Sequence, residues 1–294
     1  MTLRHLKIFL CVCRELNMTR AAEKLFMTQP SISQAIAELE EYYKTKLFDR
    51  IAKKIYITED GYKLITIANN IVELFEKAEA VIRDKKSAQK LRVGASVTIG
   101  TYLLNDILKK MSEHNEISVE YVIDNTKNIE EMILTARLDI ALVEGDIKSE
   151  DIIVKPFMDD RLTLVCSAEN KLAWRNSVNI KELENYNFII REYGSGTKEL
   201  IEALARKNNV KLNVTGVVSN IEAIKNSVMS DIGISILPEI AITRELREKK
   251  IAAVKLSGVS LKRKFSVVYH KNKNISEALE KFMRYVKSFD FKKK

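Results

Sequence analysis

The residues best suited to hydrogen-bonding chemistry stand close together in the segment MTQPSISQAIAELE, from Met27 to Glu40. Its polar members are Gln29, Ser31, Ser33 and Gln34. Its apolar members recur at helical spacing, at Ile32, Ile36 and Leu39. Gln can pair with adenine through two hydrogen bonds, and Ser can reach bases or phosphates. A helix with this pattern would bury one face and offer the other to a nucleic acid.

Two further predicted helices precede this segment. The first ends near Leu16, and its apolar stripe is formed by Leu3, Leu6, Leu10 and Cys13. The second, TRAAEKLF, can be capped by Asn17 or Thr19, and its paired alanines allow another helix to approach closely. A tight turn then leads into the third helix, with Pro30 in its first turn. The order is typical of a helix-turn-helix, although an ordinary amphipathic helix with a capped start would give the same spacing.

A short basic hairpin is predicted after the third helix. The segment LFDRIAKKIYIT alternates apolar and polar residues as a small hairpin does. Arg50, Lys53 and Lys54 lie where a wing would meet the phosphate backbone of DNA. A helix-turn-helix followed by a basic wing favours DNA binding over the simpler interpretation.

A long helix is predicted from Thr58. Apolar residues follow heptad spacing at Leu64, Ala68, Ile71, Phe75, Ala78 and Ile82. The pattern lasts about 28 residues, or roughly 42 Å, which is longer than a small winged domain can cover. We therefore predict a helix-to-helix dimer contact, with packing on its own domain as the alternative. The charged segment RDKKSAQK, residues 83–90, is the predicted hinge.

Composition limits the classes of protein that remain. The chain has 294 residues and a net charge of +9, which permits a polyanionic partner, although the basic residues are not concentrated in the N-terminal part. Cys11, Cys13 and Cys166 lack the spacing of a metal site or a disulfide framework and are predicted to fill cores. The three histidines are scattered over different predicted elements. We therefore predict no catalytic residues, no metal, no cofactor and no enzyme activity.

The same composition predicts where the protein works. No stretch approaches the roughly 18 apolar residues of a membrane helix, and the charged N-terminal residues do not resemble an export signal. We expect a cytoplasmic protein of about two domains, without a membrane partner.

After Leu91 the sequence alternates short β segments with helical ones, which favours a parallel βαβ architecture. Ligands of such folds bind beyond the carboxyl ends of the strands. Ser96 and Thr98 follow the first strand, and the turn GSGT, with Ser195, Gly196 and Thr197, follows a later one. These residues can simply cap helices, or two helix N-termini can converge on one anionic ligand. Neither turn has the pattern of a mononucleotide or dinucleotide motif.

The segments AAEKLFMTQPSISQAIAELE, KLFDR and ITEDG together resemble the winged helix-turn-helix of LysR-type transcriptional regulators. The recognition face that the resemblance implies is Gln29, Pro30, Ser31, Ser33 and Gln34. Arg50, Lys53 and Lys54 would contact phosphates, and Thr19 is a further predicted DNA contact. Lys44 departs from the family, because it stands where a helix-ending Gly is usual, so the exit of this helix is expected to differ.

The C-terminal segments RLDIALVEG, REYGSGTKE and NIEAIKNSVMSDIGISILPE are similar to the effector domain of the same family. The resemblance implies two Rossmann-like lobes like those of periplasmic binding proteins. The implied cleft residues are Ser96, Thr98, Ser195, Gly196, Thr197 and Asn220. Lys198 replaces a common Arg and loses its planar fork, and Asp231 replaces a usual Gly.

The fold class predicted is therefore multidomain, with an α-rich winged helix-turn-helix, a long linker helix and a two-lobed α/β domain. The predicted bounds are 1–58 for the DNA-binding domain, 59–90 for the linker and 91–294 for the effector domain. Within the last, lobe one covers about 91–162 and 268–294, and lobe two about 163–267.

We predict a sequence-specific regulator that binds an imperfect inverted repeat of double-stranded DNA as a homodimer or homotetramer. A small, anionic metabolite would control it, and contact with RNA polymerase is a further possible partnership. Two alternatives belong to other classes: a solute-binding receptor without a DNA-reading role, and an anion-processing enzyme that uses the Ser195 turn. The sequence names neither the effector nor the target genes, and does not distinguish activation from repression.

Overall fold

The computed structural model describes residues 1–52, 54–82, 89–112 and 117–289. The N-terminal elements are α1 (Leu3–Glu15), α2 (Met18–Leu25), α3 (Gln29–Tyr43), β1 (Phe48–Ile51), β2 (Lys54–Ile57) and α4 (Glu59–Ile82). Helices α1 to α3 share one core, in which the predicted stripe of α1 meets the inward face of α3. Ala21 and Ala22 are buried between the helices, as their small size allows. The helix-turn-helix prediction is confirmed.

The predicted hairpin is present and is tied to the end of α3. Strands β1 and β2 pair antiparallel, with Phe48 opposite Ile57. The Glu40 carboxylate accepts the backbone N–H of Leu47 at 2.8 Å and that of Phe48 at 3.2 Å. A single α3 side chain therefore fixes where the hairpin begins. Lys53, a predicted wing residue, lies outside the described residues.

Helix α4 packs on the N-terminal core mainly through its first half. Leu64 and Ala68 are buried in that core. Farther along, Ile71 and Phe75 are 42% and 47% exposed, and Leu74 is 62% exposed. The first residues of the predicted heptad pattern thus pack in the N-terminal core. The later residues form an apolar face that is exposed to solvent.

The C-terminal part contains the following strands: β3 (Gln89–Ser96), β4 (Ile117–Asp124), β5 (Ile140–Glu144), β6 (Ile152–Ser167), β7 (Ser177–Val178), β8 (Asn187–Arg191), β9 (Asn213–Val218), β10 (Ser235–Pro238), β11 (Ile251–Leu256) and β12 (Lys262–His270). Its α-helices are α5 (Val97–Tyr102), α6 (Leu104–Ser112), α7 (Thr126–Leu134), α8 (Gly196–Lys207), α9 (Ile221–Met229), α10 (Glu239–Arg247) and α11 (Glu277–Ser288). Two short 3-10 helices span Lys171–Trp174 and Ile180–Asn185.

These strands form two lobes joined by two long strands. The sheet order is β4-β3-β5-β12-β6-β11-β7, with β10 also paired to β6 and with β8 and β9 paired to each other. Lobe one holds β3 to β5 with α5 to α7 and α11, and lobe two holds β7 to β11 with α8 to α10. Strand β6 begins beside β12 in lobe one and ends between β10 and β11 in lobe two. The predicted two-lobed fold class is confirmed.

Strand direction differs from the sequence prediction at the connection between the lobes. Strand β3 is parallel to β4 and β5, and β8 is parallel to β9, as a βαβ architecture requires. In contrast, β12 is antiparallel to β5 and β6, and β6 is antiparallel to β10 and β11. The parallel βαβ prediction therefore holds within the lobes, and the connecting strands are antiparallel because strands that pass between lobes need no helical crossover. The predicted lobe bounds at residues 162 and 268 fall inside β6 and β12 and stay predictions.

The cysteines occupy core positions. Cys13 and Cys166 are buried, Cys11 is partly buried, and all three are free thiols. Burial raises the pKa of the Cys166 thiol to about 11, with the negative charge of Asp231 adding to the effect, so the reactive thiolate is disfavoured. In the described part of the chain, no helix has the length and apolar character to span a membrane.

Two residues that replace glycines of the family keep the glycine backbone conformation. Lys44 ends α3 at φ 53°, and its N–H bonds to the carbonyls of Glu40 and Glu41. Asp231 follows α9, also at φ 53°, and its carboxylate accepts a 2.6 Å hydrogen bond from Asn170. Helix α3 therefore ends in a left-handed residue even though that residue is Lys44. The expectation that its C-terminal end would differ from a glycine-capped end was wrong.

Because a Cβ in the left-handed region costs roughly 1–2 kcal/mol, Lys44→Gly should stabilise the N-terminal domain by about 0.5–1 kcal/mol after the entropy of Gly is subtracted. Native-state hydrogen exchange of peptides from α1 to α3 in the full chain measures this gain. Lys44→Ala, which keeps the Cβ, is the control and should give no gain. Asp231→Gly should be near neutral in lobe two, since relief of strain is offset by loss of the Asn170 hydrogen bond. Equal exchange in Lys44→Gly and Lys44→Ala would contradict the argument.

Candidate functional sites

The predicted recognition face lies on the solvent side of the first turns of α3. Gln29, Pro30, Ser31 and Gln34 are exposed, and Ser33 is partly exposed. Ile32, between them in sequence, is fully buried in the core. Helical periodicity thus separates the face that docks α3 from the face that can contact a partner.

Local hydrogen bonds hold part of this face in place. The Thr28 hydroxyl caps α3 by accepting the Ser31 N–H at 3.4 Å, and it lies 2.8 Å from the Ser31 hydroxyl. The Gln34 amide donates to Glu38 at 2.9 Å. The N-terminal end of α3 is therefore ordered before any partner arrives.

The hairpin and the recognition face are neighbours. Arg50 on β1 donates from Nη2 to the Ser33 hydroxyl at 3.4 Å, and both line a groove of about 480 Å³ between α3 and the hairpin. Lys54 on β2 and Thr19 on α2 are exposed. The structure thus brings Arg50 together with Ser33, while the predicted contact Lys53 lies outside the described residues.

A second group of predicted residues meets between the lobes, around a buried carboxylate. Both Glu144 oxygens are hydrogen-bonded: the Ser96 hydroxyl donates to Oε2 and the Thr98 hydroxyl donates to Oε1, the latter at 2.9 Å. All three residues are buried. Neither hydroxyl caps α5, so the capping interpretation of Ser96 and Thr98 was wrong. A carboxylate of the chain itself occupies the donors that we expected to meet an anionic ligand.

Arg263 joins the two lobes at the same place. Its guanidinium donates from Nε to Asp160 at 2.7 Å, from Nη1 to the Thr197 hydroxyl at 2.9 Å and from Nη2 to the Thr98 hydroxyl at 3.5 Å. Burial raises the pKa of Asp160, and the positive charge of Arg263 opposes that rise. Arg263 and Asp160 form a buried ion pair whose remaining donors reach a threonine of each lobe.

The GSGT turn of lobe two touches lobe one directly. A Cβ on Gly196 would lie 2.5 Å from the Glu144 carbonyl oxygen, so no larger residue fits there. Ser195 precedes α8 without capping it, and its hydroxyl is buried with no hydrogen-bond partner among the described residues. A buried hydroxyl of this kind is costly unless a ligand or water satisfies it.

The other predicted cleft residues have different surroundings. Asn220 caps α9 by accepting the Glu222 N–H at 2.8 Å, and it is exposed. Lys198 lies 3.8 Å from Glu202 on the same helix. The structure therefore brings Ser96, Thr98 and Thr197 into one cluster with Glu144 and Arg263, next to Ser195 and Gly196, and places Asn220 and Lys198 in local roles.

A separate groove of about 1040 Å³ opens beside α10. It is lined by Tyr102, Met158, and residues of α9 and α10, and by none of the predicted cleft residues. Its buried ammonium, Lys225, pairs with Glu245 at 2.9 Å and with Glu222 at 2.7 Å.

Glu144, Arg263 and Asp160 are site residues that were not predicted from the sequence. Glu144 is the last residue of β5, at the carboxyl end of a strand where ligands of such folds bind, so its position alone was a usable signal. Arg263 and Asp160 gave no such signal, because they lie in polar stretches of β12 and β6, the two strands that cross between the lobes.

Together these features define a class: a winged helix-turn-helix joined by a long helix to a two-lobed domain with a polar cleft. Residues 3–62 match the family model described as bacterial regulatory helix-turn-helix protein, lysR family. Residues 84–290 match the LysR substrate binding domain.

The chain belongs to the LysR family of transcriptional regulators. It is 31% identical over 286 residues to the HTH-type transcriptional regulator CysL of Bacillus subtilis, a match that covers 96% of each chain. It is 30% identical to the transcriptional activator CmpR of Synechocystis, over 98% of this chain and 96% of that one. Full-length OxyR from Pseudomonas aeruginosa has the same fold, with a TM-score of 0.74 at 20% identity, over 98% of this chain and 95% of that one. The protein is a DNA-binding regulator with an effector domain, and a receptor without a DNA-reading role does not fit.

Proposed function

We propose that the α3 face reads base edges while the hairpin and α2 hold the DNA backbone. The readers are Gln29, Pro30, Ser31, Ser33 and Gln34, and the backbone contacts are Thr19, Arg50, Lys53 and Lys54. The observation that supports this division is the Arg50–Ser33 hydrogen bond, because it puts a guanidinium at the edge of the exposed polar face. Arg at such a position neutralises phosphate, whereas the short uncharged side chains fit base edges.

We predict different losses for the two kinds of residue. Gln29→Ala should remove about 1–3 kcal/mol of discrimination at one base position, while Arg50→Ala should weaken binding to all sequences and reduce the salt slope by about one. The measurement is a titration of genomic fragments selected by the wild-type protein, at several salt concentrations. Arg175→Ala, an exposed lobe-two Arg paired with Glu182, is the control for loss of positive charge. Specific recognition by α3 is refuted if Gln29→Ala retains full preference for the selected site.

We propose that the exposed apolar face of α4 pairs two protomers. Ile71, Leu74 and Phe75 lie close together around the helix and are more exposed than soluble monomers usually leave such a contiguous group. A two-fold pair of recognition helices would match an imperfect inverted repeat. Pairs of dimers would give a tetramer.

Leu74→Asp should dissociate the protein, because a charge buried between two helices is strongly unfavourable. Sedimentation velocity would show a shift to monomer and DNA titration a loss of affinity for the full site. Glu76→Gln, which removes an α4 side chain paired with Lys7 on another side of the same helix, is the control and should stay associated. A Leu74→Asp protein of unchanged mass would exclude this face as the contact.

We propose that the effector is a small anion held at the N-terminus of α8. The supporting observation is the buried, unpartnered Ser195 hydroxyl in the turn that begins this helix. The Arg263 guanidinium and the backbone N–H groups of Gly196 and Thr197 supply positive potential nearby. The Glu144 carboxylate opposes an anion, so it must leave the Ser96 and Thr98 hydroxyls, or be shielded, when the effector binds.

Two substitutions in the cleft should shift anion affinity in opposite directions. Glu144→Gln should raise it about tenfold, since a like charge at about 4 Å costs 1–4 kcal/mol. Thr197→Val should lower it. Thermal shift with sulfate, phosphate, small carboxylates and amino acids measures both, and Thr215→Val, on exposed β9, should behave as wild type. If Thr197→Val keeps the full ligand-induced shift, or if no anion stabilises either the wild type or Glu144→Gln, the anionic site is wrong.

We further propose that the protein acts in the cytoplasm beside its DNA, contacts RNA polymerase when bound, and has no catalytic activity. In the described residues, Ser195 has no histidine or lysine base within hydrogen-bond reach. Nor do the described acidic, histidine and cysteine residues group into a metal site. The alternative of an anion-processing enzyme at Ser195 therefore lacks its activating partner.

A further inference from the structure

Three neighbouring strands of lobe one run from the effector cleft toward the linker helix α4. Strands β3, β5 and β12 are adjacent in the sheet. Their cleft ends carry Ser96, Glu144 and Arg263. At the opposite end are Arg92 on β3, Asp139 directly before β5, and Lys273 in the turn that follows β12. The two ends of β3 and β5 are separated by about 13–17 Å at 3.3 Å per residue.

At the end far from the cleft, these residues hold a side chain of α4. The Lys273 ammonium lies 2.7 and 2.9 Å from the two oxygens of Glu73 and 2.9 Å from Asp139. The Arg92 guanidinium lies 2.7 Å from Asp139 and 3.5 Å from Glu73. We call Glu73, Arg92, Asp139 and Lys273 the Glu73 cluster. Its two cations and two carboxylates alternate, so each charge is balanced by its neighbours.

A second contact lies one turn away on α4. The Asn70 amide donates to the backbone carbonyl of Asn272 at 2.8 Å, and its oxygen accepts the Asn274 N–H at 3.4 Å. The turn after β12 is thus held to α4 at two successive positions of the same helix face. This contact belongs to the linker helix and the effector domain, and is distinct from the apolar face of α4.

Asp139 of the Glu73 cluster stays charged at physiological pH. Burial would raise the pKa of Asp139, but the hydrogen bond from Arg92 and the charges of Lys273 and Arg92 outweigh burial and lower it to about 2. Because the folded-state pKa is below the ordinary value of 3.8, its contribution is complete above pH 4 and is lost only as pH falls toward 2. The Lys273 side chain is only 9% exposed, so water screens this contact weakly.

We propose that the Glu73 cluster is the connection through which the state of the cleft reaches the DNA-binding domain. Arg92, Asp139 and Lys273 are positioning residues in this proposal, since they act through Glu73 and lie apart from both the α3 face and the cleft. A rearrangement at Ser96, Glu144 or Arg263 shifts strands β3, β5 and β12. The residues at the other ends of these strands hold Glu73. Paired β-strands and a packed helix move as units, so the shift reaches α4 and the winged domain packed on it. This inference rests on the proposed role of the cleft in controlling DNA binding.

A double-mutant cycle between the two ends tests the connection. Glu144→Gln perturbs the cleft end, and Glu73→Gln removes the charge of the partly exposed linker residue with little risk to folding. The measured quantity is Kd for the DNA fragment that the wild-type protein selects, at fixed salt. We expect Glu144→Gln to change this Kd at least fivefold in the wild-type background and less than twofold in the Glu73→Gln background.

Glu76→Gln is the matched control. Glu76 is also on α4 and also forms an ion pair, 3.1 Å from Lys7, but its partner belongs to the DNA-binding domain. In the Glu76→Gln background, the Glu144→Gln effect should remain at least fivefold. Lys273→Met should behave like Glu73→Gln, and combining the two should add no further loss, because both remove the same contact.

The outcomes separate this inference from the proposed function. If the wild type selects no DNA site, the proposed DNA role fails. If it selects a site, and Glu144→Gln changes Kd equally in the wild-type and Glu73→Gln backgrounds or changes it in neither, the connection through Glu73 is wrong. Hydrogen exchange of α4 peptides provides the second measurement: Glu144→Gln should alter exchange around Glu73 in the wild-type background and leave it unchanged in Glu73→Gln.

Discussion

The arrangement of the lobes depends on keeping one buried guanidinium paired. An arginine removed from water is tolerable only when carboxylate and hydroxyl partners replace its hydration, and loss of one partner typically costs several kcal/mol. Arg263 meets this requirement with Asp160 on the neighbouring connecting strand and with a threonine from each lobe. The lobes therefore cannot separate at this point without exposing or unpairing a charge.

The hydroxyl groups beside this guanidinium are already engaged. Ser96 and Thr98 donate to Glu144 in the structure, so a ligand bound at the proposed cleft site would compete with a carboxylate that is already in place. A ligand shifts the protein between arrangements only by the difference between its affinities for them. The proposed competition would supply such a difference, because binding that displaced Glu144 would change contacts to β3, β5 and α5 at once.

Local and long-range features differed in how well the sequence predicted them. The helix-turn-helix, the hairpin, the start of α4 and the GSGT turn depend on spacing within a few residues, and all were predicted. The Ser96–Glu144 and Thr98–Arg263 hydrogen bonds span 48 and 165 residues, which no local pattern records. Ser96 and Thr98 were interpreted as possible helix caps, because capping is the local use of a hydroxyl group. In the structure both hydroxyls instead donate to Glu144, which is distant in sequence.

Helix α4 presents three different surfaces to three different surroundings. Leu64 and Ala68 fix it to the winged domain, Ile71 and Phe75 form an apolar face, and Glu73 meets the effector domain. An α-helix advances 100° per residue, so residues two apart point to different sides and these contacts do not compete for one surface. Because the helix is stiff along its length, displacement at any one contact must be accommodated by the other two. Geometry alone thus links the winged domain, the exposed apolar face of α4 and the effector lobe.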